Sequence, residues 1–278
     1  MNTKFVAEMT INHLGMKKIL QTMIQSARDA GASVIKLKLK NVDKYYEADG
    51  KKWRNFNFKN YRKSLELFHD DFIEIDKFCK EIDIPWFCTV HDKESLEFLQ
   101  QFNLPYFKVA SMDSGDMNFI SEVAEVAKKN SAGLVVSVGG KSLEYIDTII
   151  DKVSAYKVDL HLLHTVSIYP TPIGQSNIGR IAILKDRYSK YNWVKVGYSG
   201  HEIGYSASLL ASIEGVSMIE RHLTLTRDFN IHHIGAGITP DEYSSMVKIS
   251  REIEVEKEYS SGDRQKDEDK FLIQRDYV

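Results

Sequence analysis

The 278-residue chain is short of excess charge, of cysteine and of long apolar runs, and each shortage removes a class of function. Lys and Arg number 37 against 39 Asp and Glu, for a formal net charge of −2, so no global field favours nucleic acid or an acidic membrane surface. Its two cysteines, Cys79 and Cys88, fall in a predicted helix and a predicted strand without metal-type spacing, which argues for free thiols in a reducing cytoplasm. No apolar stretch approaches the ~20 residues needed to cross a bilayer, and MNTKFVAEMT runs directly into a strand with no export signal. Also missing are the glycine-rich turns G-x-G-x-x-G and G-x-x-x-x-G-K-[ST] that an open doubly wound sheet would carry after its first strand.

What the chain does have is alternation. Hydrophobic residues make up 43% and charged residues 27%, enough for a large buried core. Strand-like runs are predicted at 4–10, 33–39, 86–90, 106–111, 133–139, 158–165, 193–199 and 218–224. Between them the apolar period changes to 3.6. Met16, Leu20, Met23, Ile24 and Ala27 form one stripe closed by Gly31, and Leu143, Ile146, Ile149, Ile150 and Val153 form another behind a Ser142 cap. Thr239-Pro240-Asp241-Glu242 combines an N-cap, a first-turn proline and a capping-box glutamate. Eight β-then-α units predict a TIM (β/α)8 barrel over residues 1–256, with 257–278 as a charged tail or linker. Residues 40–70, basic and aromatic, exceed a simple connection and are expected to form a lid or an oligomer contact at the barrel mouth.

Two features locate the chemistry. In YSGHEIGYSASLLASIEGVSMIERHLT the helix lies between two strands, so His201 and His222 emerge at one rim, as a divalent metal with open positions for substrate oxygens would require. In SVIKLKL, Ile35, Leu37 and Leu39 share the face toward the helices, which turns Val34, Lys36 and Lys38 into the barrel. A lysine there needs an anion. Lys108 is a second such cation, and Thr89, Ser111, Ser137 and Ser199 place hydroxyls at the same strand ends. The pattern suits a small anionic ligand beside a metal; internal pairing of Lys36 with Glu8 or Glu220 is the structural alternative. Glu220 shares the parity of His222 and faces inward.

These residues together resemble the sialic acid synthase family, through AEMTINHLG, VIKLK, PYFKVASMD, LLHTVSIYPTP, VGYSGHEIG and IERHLT, which lie in the family's order across nearly the whole chain. The resemblance implies a TIM barrel that condenses phosphoenolpyruvate with an amino sugar. It implies manganese or magnesium at His201 and His222, and phosphoenolpyruvate contacts from Lys36, Thr89, Lys108, Ser111, Ser137, Ser199 and Ser167, the last where some members have asparagine. Lys36, Lys108, Glu220 and His222 would carry the chemistry. Glu220, Tyr169, Lys38, Asn12 and His13 fall on the acceptor side, joined by His233 as a candidate contact.

Departures from the family pattern gather on that acceptor side. Gly200 stands where S-D-H has aspartate, Leu14 replaces a polar residue, and His233 stands where many members have an aspartate, which predicts an unusual acceptor. The sequence stops where relatives continue into an antifreeze-like domain that supplies an arginine across a swapped dimer, so the chain is read either as a barrel from a longer polypeptide or as a barrel-only member whose acceptor is held differently, with a homodimer or a place in a larger polypeptide expected. Two rival readings remain: a Schiff-base aldolase using Lys108 or Lys36, and a non-catalytic barrel module of a larger glycan-synthesis protein.

Overall fold

The computed structural model describes residues 3–46 and 52–258. Eight parallel strands close into a barrel: β1 (Lys4–Glu8), β2 (Val34–Leu39), β3 (Trp86–Val90), β4 (Tyr106–Val109), β5 (Gly133–Ser137), β6 (Leu160–Thr165), β7 (Val194–Gly200) and β8 (Met218–His222). Each strand pairs with its neighbours in sequence, and β8 returns to β1 from Lys4↔Met218 to Glu8↔His222. The predicted TIM barrel is therefore the fold. Several strands stop before the alternation does, β1 at Glu8 rather than Thr10 and β5 at Ser137 rather than Gly139. Thr10 takes a left-handed φ of 43°, which turns the chain out of the ladder and frees the rim for loops.

Helices cover the outside by the apolar stripes. In Lys17–Asp29, Leu20, Met23, Ile24 and Ala27 are buried against the sheet, and Gly31 closes the turn at φ +90°. Met16 does not join that stripe: it precedes the helix and is 53% exposed. Ser142 accepts from the Tyr145 N–H at 3.2 Å and starts the helix Leu143–Ser154. The capping box at Thr239 forms as expected, the Thr239 N–H donating to Glu242 at 2.8 Å and the Glu242 N–H donating to Thr239 Oγ1 at 3.4 Å. The final helix, Pro240–Glu258, takes in the first residues assigned to the tail; the rest of it, 259–278, lies outside the described residues. Among the described residues no helix is long and apolar enough to cross a membrane.

Two layers fill the barrel. Val6, Val34, Phe87, Val135, Leu163 and Met218 pack into a fully apolar plug in its lower half, separate from the core between sheet and helices. Two residues further along the same strands stand Glu8, Lys36, Thr89, Ser137, Thr165 and Glu220, all buried. One strand period thus converts an oily interior into an ionised one.

Within 40–70, helices Val42–Tyr45 and Phe58–Lys63 and a two-residue antiparallel ladder, Lys52–Trp53 with Phe56–Asn57, reach the barrel mouth. Trp53 stacks on Tyr61 at 4.4 Å, and the Tyr61 hydroxyl accepts from the His232 N–H at 2.8 Å, tying the segment to the loop after β8.

Candidate active site

A cavity of about 440 Å³ opens at the C-terminal rim, where barrels of this kind place their active sites. It is lined by Lys36, Lys38, Thr89, Lys108, Ser111, Ser137, Ser167, Tyr169, Ser199, His201, Glu220, His222 and His233, so most of the residues picked out in the sequence converge there. A larger cavity of about 970 Å³ at the opposite end, with Lys4, Tyr106, His161 and Lys195 in its wall, contains none of them.

The floor is an ion-pair cluster. Lys108 Nζ lies 2.6 and 2.7 Å from the two oxygens of Glu220, and Lys36 Nζ sits between Glu8, in direct contact, and Glu220 Oε1 at 3.5 Å. The Ser199 hydroxyl donates to Glu220 at 3.2 Å, and the Thr10 N–H to Glu8 at 2.8 Å. Burial opposes the Glu220 charge, but Lys108 and Lys36 outweigh it and hold the carboxyl at about 2. Lys36 is pushed the other way, well below its ordinary value, because burial dominates its partners. The internal pairing held open as an alternative is therefore real, and it coexists with a cavity directly above it. Thr89 Oγ1 and Ser137 Oγ are buried in that cavity's wall without a partner among the described residues, as donors kept for a ligand would be.

His201 and His222 do meet at one rim, with ring centroids 5.3 Å apart and planes at 81°. Burial lowers both imidazoles, His201 to about 3 and His222 well below its ordinary value, so both are neutral at pH 7. His201 Nδ1 donates to the Val166 carbonyl at 2.9 Å, which leaves Nε2 with its lone pair, while His222 Nδ1 is buried with no partner among the described residues. The Tyr169 ring lies 4.0 Å from both His201 and His233. Close approach of hydroxyls depends on Gly139, where a Cβ would fall 2.5 Å from Ser167 Oγ and 2.9 Å from Ser111 Oγ.

Two expectations need correction. Asn12 and His13 do not line the cavity: Asn12 Nδ2 donates to the Leu223 carbonyl at 2.7 Å and His13 Nδ1 accepts from the Gly15 N–H at 3.1 Å, so both brace the rim turn that begins at Thr10. Gly200 is not on the acceptor side. It alternates with inward Ser199 and pairs with Arg221 in the outer layer, where a Cβ would meet Glu202 Oε2 at 2.4 Å. Glu202 fills that space and binds Arg221 Nη1 at 2.7 Å. His233, the candidate acceptor contact, is partly buried in the cavity wall beside His232.

Sequence reasoning missed Lys40, Arg62, Tyr46, Phe58 and His91, which also line the cavity. His91 Nδ1 bonds Asp113 Oδ2 at 2.7 Å, and Tyr45 donates to Asp113 Oδ1 at 3.0 Å. The basic and aromatic composition of 40–70 was the only signal for the first four.

The N-acetylneuraminic acid synthetase of Leptospira borgpetersenii, solved with citrate, superposes with a TM-score of 0.83 at 25% identity, covering 100% of this chain and 93% of that one. The N-acetylneuraminate-9-phosphate synthase of Drosophila melanogaster is 27% identical over 252 residues, 87% of this chain, which spans 65% of that protein's length. The pseudaminic acid synthase of Campylobacter jejuni is 27% identical over 258 residues, 90% of this chain and 73% of its own. A family model described as the NeuB family matches residues 23–262, and the chain belongs to that family.

Proposed function

We propose that the barrel condenses phosphoenolpyruvate with an aldose or amino-sugar acceptor to give a nonulosonic-acid-type 3-deoxy-2-keto acid and inorganic phosphate. The observation that carries this reading is the ionised layer, in which Lys36 and Lys108 flank Glu220 beside the unpartnered hydroxyls of Thr89 and Ser137. The names of the Drosophila and Campylobacter relatives point to the same chemistry.

In the reaction, C3 of phosphoenolpyruvate attacks the acceptor aldehyde, water adds at C2, and phosphate leaves as its bond to C2 breaks. Lys36, Lys38 and Lys108 offset the charge of the enol phosphate, and Thr89, Ser111, Ser137, Ser167 and Ser199 hold its oxygens, so that charge developing at C2 meets donors already in place. Glu220 stays ionised and is placed to accept a hydrogen bond from the acceptor or from the attacking water. Tyr169 and His233 form the acceptor-side wall. The segment over the mouth excludes bulk water and so strengthens these contacts.

Manganese or magnesium is the proposed cofactor, held by His201 and His222. Among the described residues no three His, Cys, Asp or Glu side chains group to hold a metal. Two neutral imidazoles, one with an orphaned buried nitrogen, still fit an open site completed by substrate and water oxygens. Bound there, the ion would polarise the acceptor carbonyl.

The test is phosphate release from phosphoenolpyruvate with manganese and a panel of sugars and sugar phosphates. Release with at least one acceptor, lost in His222→Ala, is expected. Activity untouched by that substitution would remove the metal from the scheme. No release from any acceptor, together with borohydride trapping of pyruvate on Lys36 or Lys108, would replace condensation with Schiff-base chemistry, which the burial-lowered Lys36 could also serve.

A further inference from the structure

Below the apolar plug, at the underside of the barrel, the strands carry one more set of inward positions. One strand period under Val6, Val135 and Leu163 stand Lys4, Gly133 and His161, while Tyr106 shares the parity of Lys108 and Lys195 that of Ser199. All five line the cavity of about 970 Å³ at that end. Its volume lies within the range that small-molecule sites occupy.

The roof of this cavity is aromatic. The rings of Tyr106 and His161 meet edge to face, with centroids 5.3 Å apart and planes at 84°, and Tyr106 packs on Phe87 of the plug at 5.4 Å. Gly133 makes room for that ring: a Cβ there would fall 2.8 Å from Tyr106 Cδ1. His161 is only 4% exposed. The Ser217 hydroxyl donates to the Val196 carbonyl at 3.1 Å and so accepts from His161 Nδ1 at 3.0 Å, which leaves Nε2 as a lone-pair acceptor without a partner among the described residues. Burial, then Lys195 and Lys4, lower this imidazole to about 4, so it is neutral and keeps that lone pair at pH 7. The wall is cationic. Lys4, Lys128, Lys157, Lys185 and Lys195 line it beside a single carboxylate, Asp159, which is taken by Lys195 at 3.1 Å. Lys185 is held by the Glu214 and Gly215 carbonyls, and Lys4, Lys128 and Lys157 make no ion pair among the described residues.

We propose that this underside cavity is a nucleotide site, in which the base lies against Tyr106 and donates an N–H to His161 Nε2 while Lys4, Lys128 and Lys157 meet the phosphates. Rings alone would serve a neutral aromatic molecule, and lysines alone any polyanion. A nucleoside phosphate uses both, with a π-face for the roof, a donor for the bare imidazole nitrogen and charge for the wall. The plug lies between this cavity and the one at the C-terminal rim, and the two share no lining residue, so the site stands or falls apart from the condensation reading.

The experiment is calorimetric titration of the full chain with the mono- and triphosphates of adenosine, cytidine, guanosine and uridine, with the four nucleosides, and with inorganic tripolyphosphate. At least one nucleotide is expected to bind at least about tenfold tighter than both its own nucleoside and tripolyphosphate, and to weaken as salt is raised. Lys128→Ala with Lys157→Ala should bring that nucleotide down toward the affinity of its nucleoside, and Tyr106→Leu toward that of tripolyphosphate. Phosphoenolpyruvate affinity should stay within about twofold in both variants, since the two cavities are separate. Should Tyr106→Leu fail to fold, the lysine pair, exposed on the wall, decides. Failure of the whole panel to bind overturns the proposal, as does tripolyphosphate that binds as tightly as every nucleotide, which would mark a charged surface only. Nucleotide affinity unchanged in the double-lysine variant also overturns it, and so does displacement of the nucleotide by saturating phosphoenolpyruvate, which would move it to the rim cavity.

Discussion

The lower and upper halves of one barrel interior are built from the same strands and do opposite things. Val34 gives way to Lys36 on β2, Val6 to Glu8 on β1, Val135 to Ser137 on β5 and Met218 to Glu220 on β8, each after a single strand period. Below that boundary the side chains fill space; above it they hold charge over a cavity. Apolar packing stabilises without regard to chemistry, whereas buried ion pairs contribute little net stability because desolvation offsets their attraction. Stability alone therefore does not account for the upper layer, whereas the proposed ligand role does.

The sharpest way to break that comparison is to extend the lower half upward. Lys108→Met alone strands Glu220 beside Lys36, and is expected to cost about 3–5 kcal/mol of stability and about 10²–10³ in phosphate release. Adding Glu220→Leu should return most of the stability, since an apolar pair of similar volume is often neutral or better, without returning activity. Urea unfolding beside the phosphate assay reads both. A double variant that regains activity would show the ionised layer to be scaffold.

The reverse case probes the plug. Leu163→Ala removes a fully buried side chain of the apolar plug and should cost about 2–5 kcal/mol, with phosphate release per folded molecule unchanged. A changed affinity for phosphoenolpyruvate in that variant would mean that the two layers are mechanically coupled, contrary to their separation here.

How far this division was legible in the sequence depends on whether a side chain's direction is set by a period. In SVIKLKL the alternation fixes the parity of Lys36 and Lys38, and both line the cavity. Glu220 and Ser199 follow by the same rule. It fails where the ladder ends. Asn12 and His13 lie past the left-handed turn at Thr10, so family resemblance placed them at a site from which the backbone turns them away. Lys40, Arg62 and Glu66 belong to an irregular segment whose composition announced a cover but whose geometry has no repeat to read.

Acid titration separates the layers more gently. His161, at the lower end of β6, is lowered to about 4 by burial and then by Lys195, while its Nδ1 bonds Ser217 Oγ at 3.0 Å. Its folded value lies below the ordinary 6.5, so the folded state binds fewer protons between those limits; its contribution is full above pH 6.5 and is lost as pH falls toward 4. Glu220 acts in a lower window, full above about 4.5 and lost as pH falls toward about 2. His161→Gln should therefore flatten the stability profile between pH 6.5 and 4, by up to about 1.4 kcal/mol per pH unit, and leave the decline below pH 4 in place. An unchanged slope in the upper window would assign that sensitivity to other buried imidazoles such as His13, also held at about 4.

The smallest effect tests the barrel wall. Ser199 faces the cavity and Gly200 faces the helices, so Gly200→Asp, which puts back the aspartate of the S-D-H pattern, should act on the outer layer and leave the cavity untouched. Its Cβ would meet Glu202 Oε2 at 2.4 Å and Arg221 Cδ at 3.0 Å, an overpacking that costs about 1–3 kcal/mol in a close-packed layer. Arg221 is fully buried and depends on Glu202 for its carboxylate, so Glu202→Gly alone strands a guanidinium. The pair Gly200→Asp with Glu202→Gly moves the carboxylate by two residues along the chain and should recover stability that neither change keeps alone, a coupling that a double-mutant cycle measures directly. Additive losses would mean that the carboxylate cannot be relocated, and that Gly200 is needed for the close approach of Tyr198 Cε1, 2.7 Å from the position its Cβ would take.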